Sequence, residues 1–152
     1  KVKKNFWVEF SNYVRKNYKP EEEILYNKYL KYCENIIKYN NSIDEFNLNF
    51  KNLYVSKLRN LNFNFSELRG LAGTFYEFDI QNIDEIKKLM NFKLQTINYF
   101  GFNKSDFLKF YSKPINKKGI LRIVKVGNAL DMSYIWDGFN IIDLMSKTIE
   151  IN

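Results

Sequence analysis

Thr74-Phe75-Tyr76-Glu77-Phe78-Asp79-Ile80, followed by Asn82-Ile83-Asp84-Glu85-Ile86 and then by Leu94-Gln95-Thr96-Ile97-Asn98-Tyr99-Phe100, is the stretch that sets the fold class. The first run is rich in aromatic β-formers and leaves the flexible step Gly70-Leu71-Ala72-Gly73, which predicts a strand over 74–80. Asn82 with Glu85 three residues on has capping-box spacing, and Ile83, Ile86, Leu89 and Met90 supply an apolar helical face, so a helix over 83–90 is expected. Residues 94–100 read as a second strand, closed by Gly101.

Toward the C-terminus the alternation continues. Asn103 and Asp106 are placed to cap a short helix carrying Phe107, Leu108 and Tyr111, which Pro114 ends. Gly119 precedes a short apolar strand over 120–126, Gly127 releases the chain, and Ile141, Ile142, Leu144 and Met145 suggest a last helix. Strand, helix, strand, helix, strand is the signature of a parallel or mixed sheet covered by helices.

Toward the N-terminus the period is helical. Phe6, Trp7, Phe10 and Val14 share one face of a first helix of about three turns. Pro20 suits the first position of a second helix, Glu21, Glu22 and Glu23 favour its positive end, and Leu25, Tyr29, Tyr32 and Ile36 form its apolar stripe. Asn40-Asn41-Ser42 stops it. From Phe46 the period becomes two: Phe46, Leu48 and Phe50, then Leu61, Phe63 and Phe65, are candidate strands around the mixed stretch Leu53-Tyr54-Val55. The expected organisation is a single domain or domain fragment, helical over 1–42 and α/β over 43–152, its N-terminal helices followed by a mixed, mostly parallel sheet with covering helices.

Composition narrows the chemistry. The chain has 152 residues, one cysteine and no histidine, so an internal disulfide, a Cys-rich zinc site and His-dependent triads are all outside its means. No apolar run approaches the roughly 20 residues that span a bilayer. The basic start Lys1-Val2-Lys3-Lys4 leads into a segment that is too short for a signal-peptide core and contains Glu9, so a cytoplasmic location is expected. The formal net charge of +7 suits an anionic partner, but the lysines are dispersed along a chain rich in Lys, Asn, Ile, Tyr and Phe, which is not the footprint of a nucleic-acid site. Cys33 sits mid-helix near the apolar stripe and reads as a structural side chain, not a nucleophile.

Three blocks, in order, resemble the C-terminal third of LuxC-type fatty acyl-CoA reductases, members of the aldehyde dehydrogenase superfamily. They are Leu68-Arg69-Gly70-Leu71-Ala72-Gly73-Thr74-Phe75-Tyr76-Glu77; Asp84-Glu85-Ile86 through Leu94-Gln95-Thr96-Ile97; and Arg122-Ile123-Val124-Lys125-Val126-Gly127-Asn128-Ala129-Leu130-Asp131 with Trp136-Asp137-Gly138-Phe139-Asn140-Ile141-Ile142. The helices over 6–37 are similar to those that follow the nucleophile segment in such enzymes.

The resemblance implies the C-terminal part of an aldehyde dehydrogenase fold. It also implies a parent that reduces an acyl-CoA or acyl-protein thioester to an aldehyde with NADPH or NADH through a cysteine thioester. That chemistry needs a thiolate, a good nucleophile that is also a good leaving group. The cysteine and the nucleotide-binding half would lie upstream of Lys1, so this chain alone is expected to hold no cofactor and no catalytic residue. Its implied partners are the remainder of the parent or a second subunit in a homo-oligomer, and a segment completing another body should expose an apolar patch.

Within the resemblance, Glu67 and Gly70 are similar to a Glu-x-x-Gly turn that contacts the nicotinamide ribose, with Arg69 facing a phosphate; the alternative is a plain turn with a solvated salt bridge. Gln95 and Thr96 are candidates to line an acyl or cofactor cleft, since ligands gather near strand ends, although alternation directs them to opposite faces. Trp136-Asp137-Gly138 reads as an architectural turn. Two other classes compete with the reductase segment. One is a small basic nucleic-acid-binding module, with affinity falling steeply with salt. The other is a non-catalytic assembly protein with a defined oligomer.

Overall fold

The computed structural model describes residues 2–50, 52–62, 64, 67–90, 93–112, 119, 121–136 and 138–151. The chain is mixed α/β and divides into two compact units, Lys1–Asp79 and Ile80–Asn152. No helix among the described residues is long and apolar enough to cross a membrane.

In the first unit, α1 (Val2–Asn17) and α2 (Glu22–Lys38) precede the strands β1 (Ile43–Phe50), β2 (Leu53–Leu58) and β3 (Thr74–Glu77). Helix α2 starts two residues after Pro20, because Glu21 takes the extended N-cap conformation (φ −62°, ψ 154°). The sheet order is β1-β2-β3, with β1 antiparallel and β3 parallel to the central β2. The mixed stretch around Leu53-Tyr54-Val55 is thus the middle of the sheet. The candidate strand farther on is absent at Leu61, Asn62 and Asn64, which are coil, while Phe63 and Phe65 lie outside the described residues. Asn beside each apolar residue there disfavours a strand, whereas Leu53, Val55 and Leu58 are buried and hold β2 in place.

Alternation along β3 organises the two helices. Phe75 and Glu77 point to one face, where Phe75 lies against Trp7 and Phe10 of α1 at ring separations of 5.1 and 5.7 Å. Glu77 accepts from the Trp7 indole and pairs with Lys3 at 2.8 Å. Tyr76 points to the other face, with Ser56 opposite it in β2, and there α2 lies down. The Tyr32 hydroxyl meets Ser56 Oγ at 3.0 Å, and Asn35 Nδ2 donates to the Tyr76 hydroxyl at 2.8 Å. The first unit is therefore a three-layer arrangement of α1, sheet and α2.

The stripe that α2 buries differs from the sequence expectation. Lys28, Tyr32 and Asn35 are buried, while Tyr29 is half exposed. The helix turns toward its polar partners on the sheet, and Tyr29 rotates to the rim. Ile36 and Tyr39 continue the stripe onto a cluster of Ile43, Leu58 and Leu68. Each such buried aliphatic side chain contributes about 1.5–3 kcal/mol.

In the second unit, a 3-10 helix (Ile83–Leu89) replaces the expected α-helix, and its start has the full capping box. Asn82 Oδ1 accepts from Asp84 N at 2.9 Å, and Glu85 returns to Asn82 N at 3.3 Å. Strands β4 (Thr96–Tyr99) and β5 (Arg122–Lys125) are parallel, with α3 (Lys104–Ser112) between them in sequence. A hairpin of β6 (Ile135–Trp136) and β7 (Phe139–Asn140), unforeseen in the sequence, leads into α4 (Ile141–Met145). Gly138 follows in the turn of that hairpin at φ +82°, and Asp137 lies outside the described residues.

Among the described residues the strands form three small sheets instead of one. Of the four strand pairings these residues make, β2·β3 and β4·β5 are parallel and the other two are antiparallel hairpins, so the sheets are not mostly parallel.

Candidate functional site

Glu67, Arg69 and Gly70 share one turn of the first unit. The Glu67 carboxylate accepts from Lys38 Nζ at 2.8 Å, from the Tyr39 hydroxyl at 3.2 Å and from Asn64 Nδ2 at 3.2 Å. The Lys38 hydrogen bond, above all, holds its carboxyl below the usual carboxylate range. The Arg69 carbonyl accepts from the buried Asn35 amide at 2.9 Å. A Cβ on Gly70 would lie 2.3 Å from Thr74 Cβ, so close packing within the turn already accounts for that glycine. Inside their own unit, Glu67 bonds Lys38, Tyr39 and Asn64, Arg69 is engaged through its backbone carbonyl, and Gly70 packs against Thr74.

Gln95 and Thr96 belong to the second unit, and both are exposed. The Gln95 carbonyl accepts from Leu121 N and Arg122 N at 2.9 and 3.1 Å, and Thr96 stands opposite Arg122 in the parallel register. These positions mark the amino ends of β4 and β5. In open α/β layers ligands gather outside the carboxyl ends, which here are Tyr99 and Lys125, also opposite each other.

A cleft of about 460 Å³ opens at that carboxyl end. Tyr99, Phe107, Leu108 and Ile123 supply its apolar surface, and Lys104, Lys125 and Asn128 its polar groups. Phe107 is buried beneath Tyr99, with ring centroids 4.8 Å apart, so α3 is pinned to β4 by the residue its apolar face predicts. Asp106 Oδ2 accepts from Asn103 N at 3.0 Å and fixes the start of α3. The strands alone identify this cleft: carrying the carboxyl-end rule to the last residues of the two runs selects Tyr99 and Lys125, not Gln95 and Thr96.

At the amino end of β5, Arg122 gathers the loop that follows the strand. Nη1 donates to the Ala129 carbonyl at 2.6 Å, Nη2 donates to the Asp131 carbonyl, and the guanidinium lies 4.8 Å over the Trp136 ring. The Asp131 carboxylate in turn accepts from Asn128 Nδ2 at 2.6 Å. Residues 122–136 are therefore one assembly around a single side chain.

The buried cation of the first unit is Lys28, 1% exposed. Its Nζ donates to the Asn52 carbonyl at 2.5 Å and sits 4.2 Å from the Tyr54 ring centre. Burial lowers its pKa to about 8. Cys33 is half buried on the same helix. Among the described residues no cluster of Cys, His, Asp and Glu could hold a metal ion. Lys3, Lys31, Lys38, Lys57 and Arg59 all pair with carboxylates, so these cations are distributed among ion pairs and not gathered in one stripe. No known protein family, curated protein or solved structure matches the chain.

Proposed function

We propose that the chain is the C-terminal segment of a LuxC-type NAD(P)H-dependent acyl-CoA or acyl-protein thioester reductase, catalytically incomplete by itself. The observation that carries the reading is the apolar surface of the second unit. Leu130, Met132, Tyr134, Ile135, Phe139 and Ile142 are about half or more exposed, and Leu144, Met145, Ile149 and Ile151 are exposed at 69%, 83%, 82% and 91%. A monomer seldom leaves so many large apolar side chains of one segment in water, and a covering body relieves it. The remainder of the parent, or a second subunit, is that body.

The blocks that carry the resemblance also support the reading by how they fold. The Leu94-Gln95-Thr96-Ile97 block and the Arg122-Ile123-Val124-Lys125 block supply a parallel strand pair, and Arg122 ties the second of them to Trp136 of the terminal segment. In this reading the chain contributes a part of the catalytic α/β layer resembling the aldehyde dehydrogenase fold. The thiol nucleophile and the nicotinamide site come from parts of the parent outside these residues, and the Glu67 turn serves the fold.

The test is the intact mass and upstream sequence of the protein from its native source. A preceding segment with a nucleotide-binding half and a cysteine shortly before Lys1 is expected, and that whole protein should oxidise NADPH or NADH in the presence of an acyl-CoA or acyl-protein. A native protein that starts at or near Lys1 and associates with no such polypeptide would sink the reading. The nucleic-acid alternative predicts RNA or DNA retention at low salt, and no binding there removes it.

A further inference from the structure

We infer that the outward face of α2 pairs antiparallel with the same face of a second copy of the chain. Tyr26, Leu30, Cys33 and Ile37 follow one another at steps of four, three and four residues along the helix, the spacing of a coiled-coil seam. At about 3.6 residues per turn, this row lies opposite Lys28, Tyr32 and Asn35, which turn to the sheet. Tyr26, Leu30 and Ile37 are exposed and Cys33 is half-buried, so α2 carries a second apolar stripe, left in water by the single chain.

The order of side chains and the charges along the stripe select its occupant. An antiparallel copy stacks Tyr26 on Ile37 and Leu30 on Cys33 about a two-fold axis, so that a larger side chain always meets a smaller one. A parallel copy would set Tyr26 on Tyr26 and bring the acidic first turns, with Glu22 and Glu23, side by side. The antiparallel copy instead carries those carboxylates to the end where Lys38 stands in the last turn, exposed although paired with Glu67 of its own chain, and it opposes the two helix dipoles. Beside the central layers Lys31 and Glu34 balance each other at 2.9 Å. The seam belongs to the first unit and goes beyond the reductase reading, which rests on the surface of the second.

Sedimentation equilibrium of the full chain decides it. A monomer–dimer equilibrium with a dissociation constant on the order of 10 μM is expected, the weak end for a specific interface. Ile37→Lys, at a position 76% exposed in the single chain, should raise that constant by more than about tenfold through the charge it buries in the seam, with the circular dichroism and melting of the monomer unchanged. Tyr13→Lys, at an exposed ring of α1 outside the stripe, should leave the constant as it was. In a Cys33→Ser background, Tyr26→Cys/Ile37→Cys should give a disulfide-linked dimer on oxidation with copper phenanthroline, and Tyr26→Cys alone should not, because each position faces the other and not itself. A chain that stays monomeric well above the expected constant, a dimer that survives Ile37→Lys, equal weakening by Tyr13→Lys, or a linked dimer from Tyr26→Cys alone would each overturn the inference. A native protein that starts at Lys1 and still dimerises through this seam would strike only the functional proposal.

Discussion

Lys28 Nζ lies 2.5 Å from the Asn52 carbonyl oxygen, so a helix side chain with its charge out of water holds the end of the β1–β2 connection. Tyr54 faces the ammonium through its ring, and Tyr32, one turn along α2, lies tilted against the same ring at 4.7 Å. One carbonyl and one ring are modest compensation for a buried charge.

Lys28→Met should therefore stabilise the first unit by about 1–3 kcal/mol, since replacing a buried ion by an apolar side chain of similar length removes the desolvation cost. Urea unfolding followed by Trp7 fluorescence in a Trp136→Phe background isolates that unit. A destabilisation above about 1 kcal/mol would show that the Asn52 hydrogen bond outweighs the charge burial.

The same lysine sets a pH dependence. Its pKa is about 8 in the folded chain against 10.5 unfolded, so below pH 8 both states are protonated and the penalty is fully present. Between pH 8 and about 10 the unfolded state binds more protons, and stability should rise with pH. Above 10 the trend should reverse, because burial raises the Tyr32 and Tyr76 pKa values and the folded state retains their protons. Unfolding midpoints at pH 7, 8, 9 and 10 should climb in the parent chain and stay flat over that interval in Lys28→Met.

Asn35 is the polar hinge between α2 and the Glu67 turn, donating to both the Arg69 carbonyl and the Tyr76 hydroxyl. Asn35→Ala leaves two partners without their donor and should cost about 2–3 kcal/mol, whereas Tyr76→Phe, which removes only one acceptor, should cost about 1 kcal/mol. Equal losses in the two variants would show that the Arg69 contact contributes nothing.

Gly73 has φ +80°, and a Cβ there would lie 2.9 Å from the Asn52 carbonyl oxygen. Gly127 has φ +100° with nothing within 4 Å of the added carbon. Gly127→Ala should cost about 1 kcal/mol from backbone strain alone, and Gly73→Ala at least twice that, since the hairpin end must move as well. Calorimetric melting of the two single variants tests the ordering.

Arg122→Lys should fail to replace arginine. A lysine ammonium cannot reach the Ala129 and Asp131 carbonyls as a fork while lying flat on Trp136. A loss of about 1–3 kcal/mol is expected for this unit, with a change in Trp136 emission in a Trp7→Phe background. Unchanged emission would mean that the stacked geometry is not maintained in solution.

Much of the element order was legible because each segment carried its own local signal. The Asn82/Glu85 capping box, the Gly70–Gly73 step before β3 and the Gly101 stop after β4 all act through neighbours in sequence. What was not legible depends on distant partners. Nothing around Lys28 or Asn35 announces that these polar residues face inward while Tyr29 turns out, because their acceptors, Asn52, Arg69 and Tyr76, lie 24 to 41 residues away. The β6–β7 hairpin has only two residues per strand, too short for any period to register, and its order depends on the Arg122 stack. At the site, the strands were visible but the end that matters was not, since residue type favoured Gln95 and Thr96 over Lys125 and Tyr99.

Helix α1 is tied to β3 across 70 residues of chain, from Trp7 to Glu77. As the chain is made, the first helix emerges well before the strand at 74–77, whose Phe75 packs on its aromatic face. The β1–β2 hairpin can form from neighbouring residues well before then, and closing the long loop back to α1 adds only slowly to the entropic cost. Synthesis thus delivers a waiting helix, then a hairpin, then the single strand that locks both outer layers, and the first unit is complete before most of the second has been made.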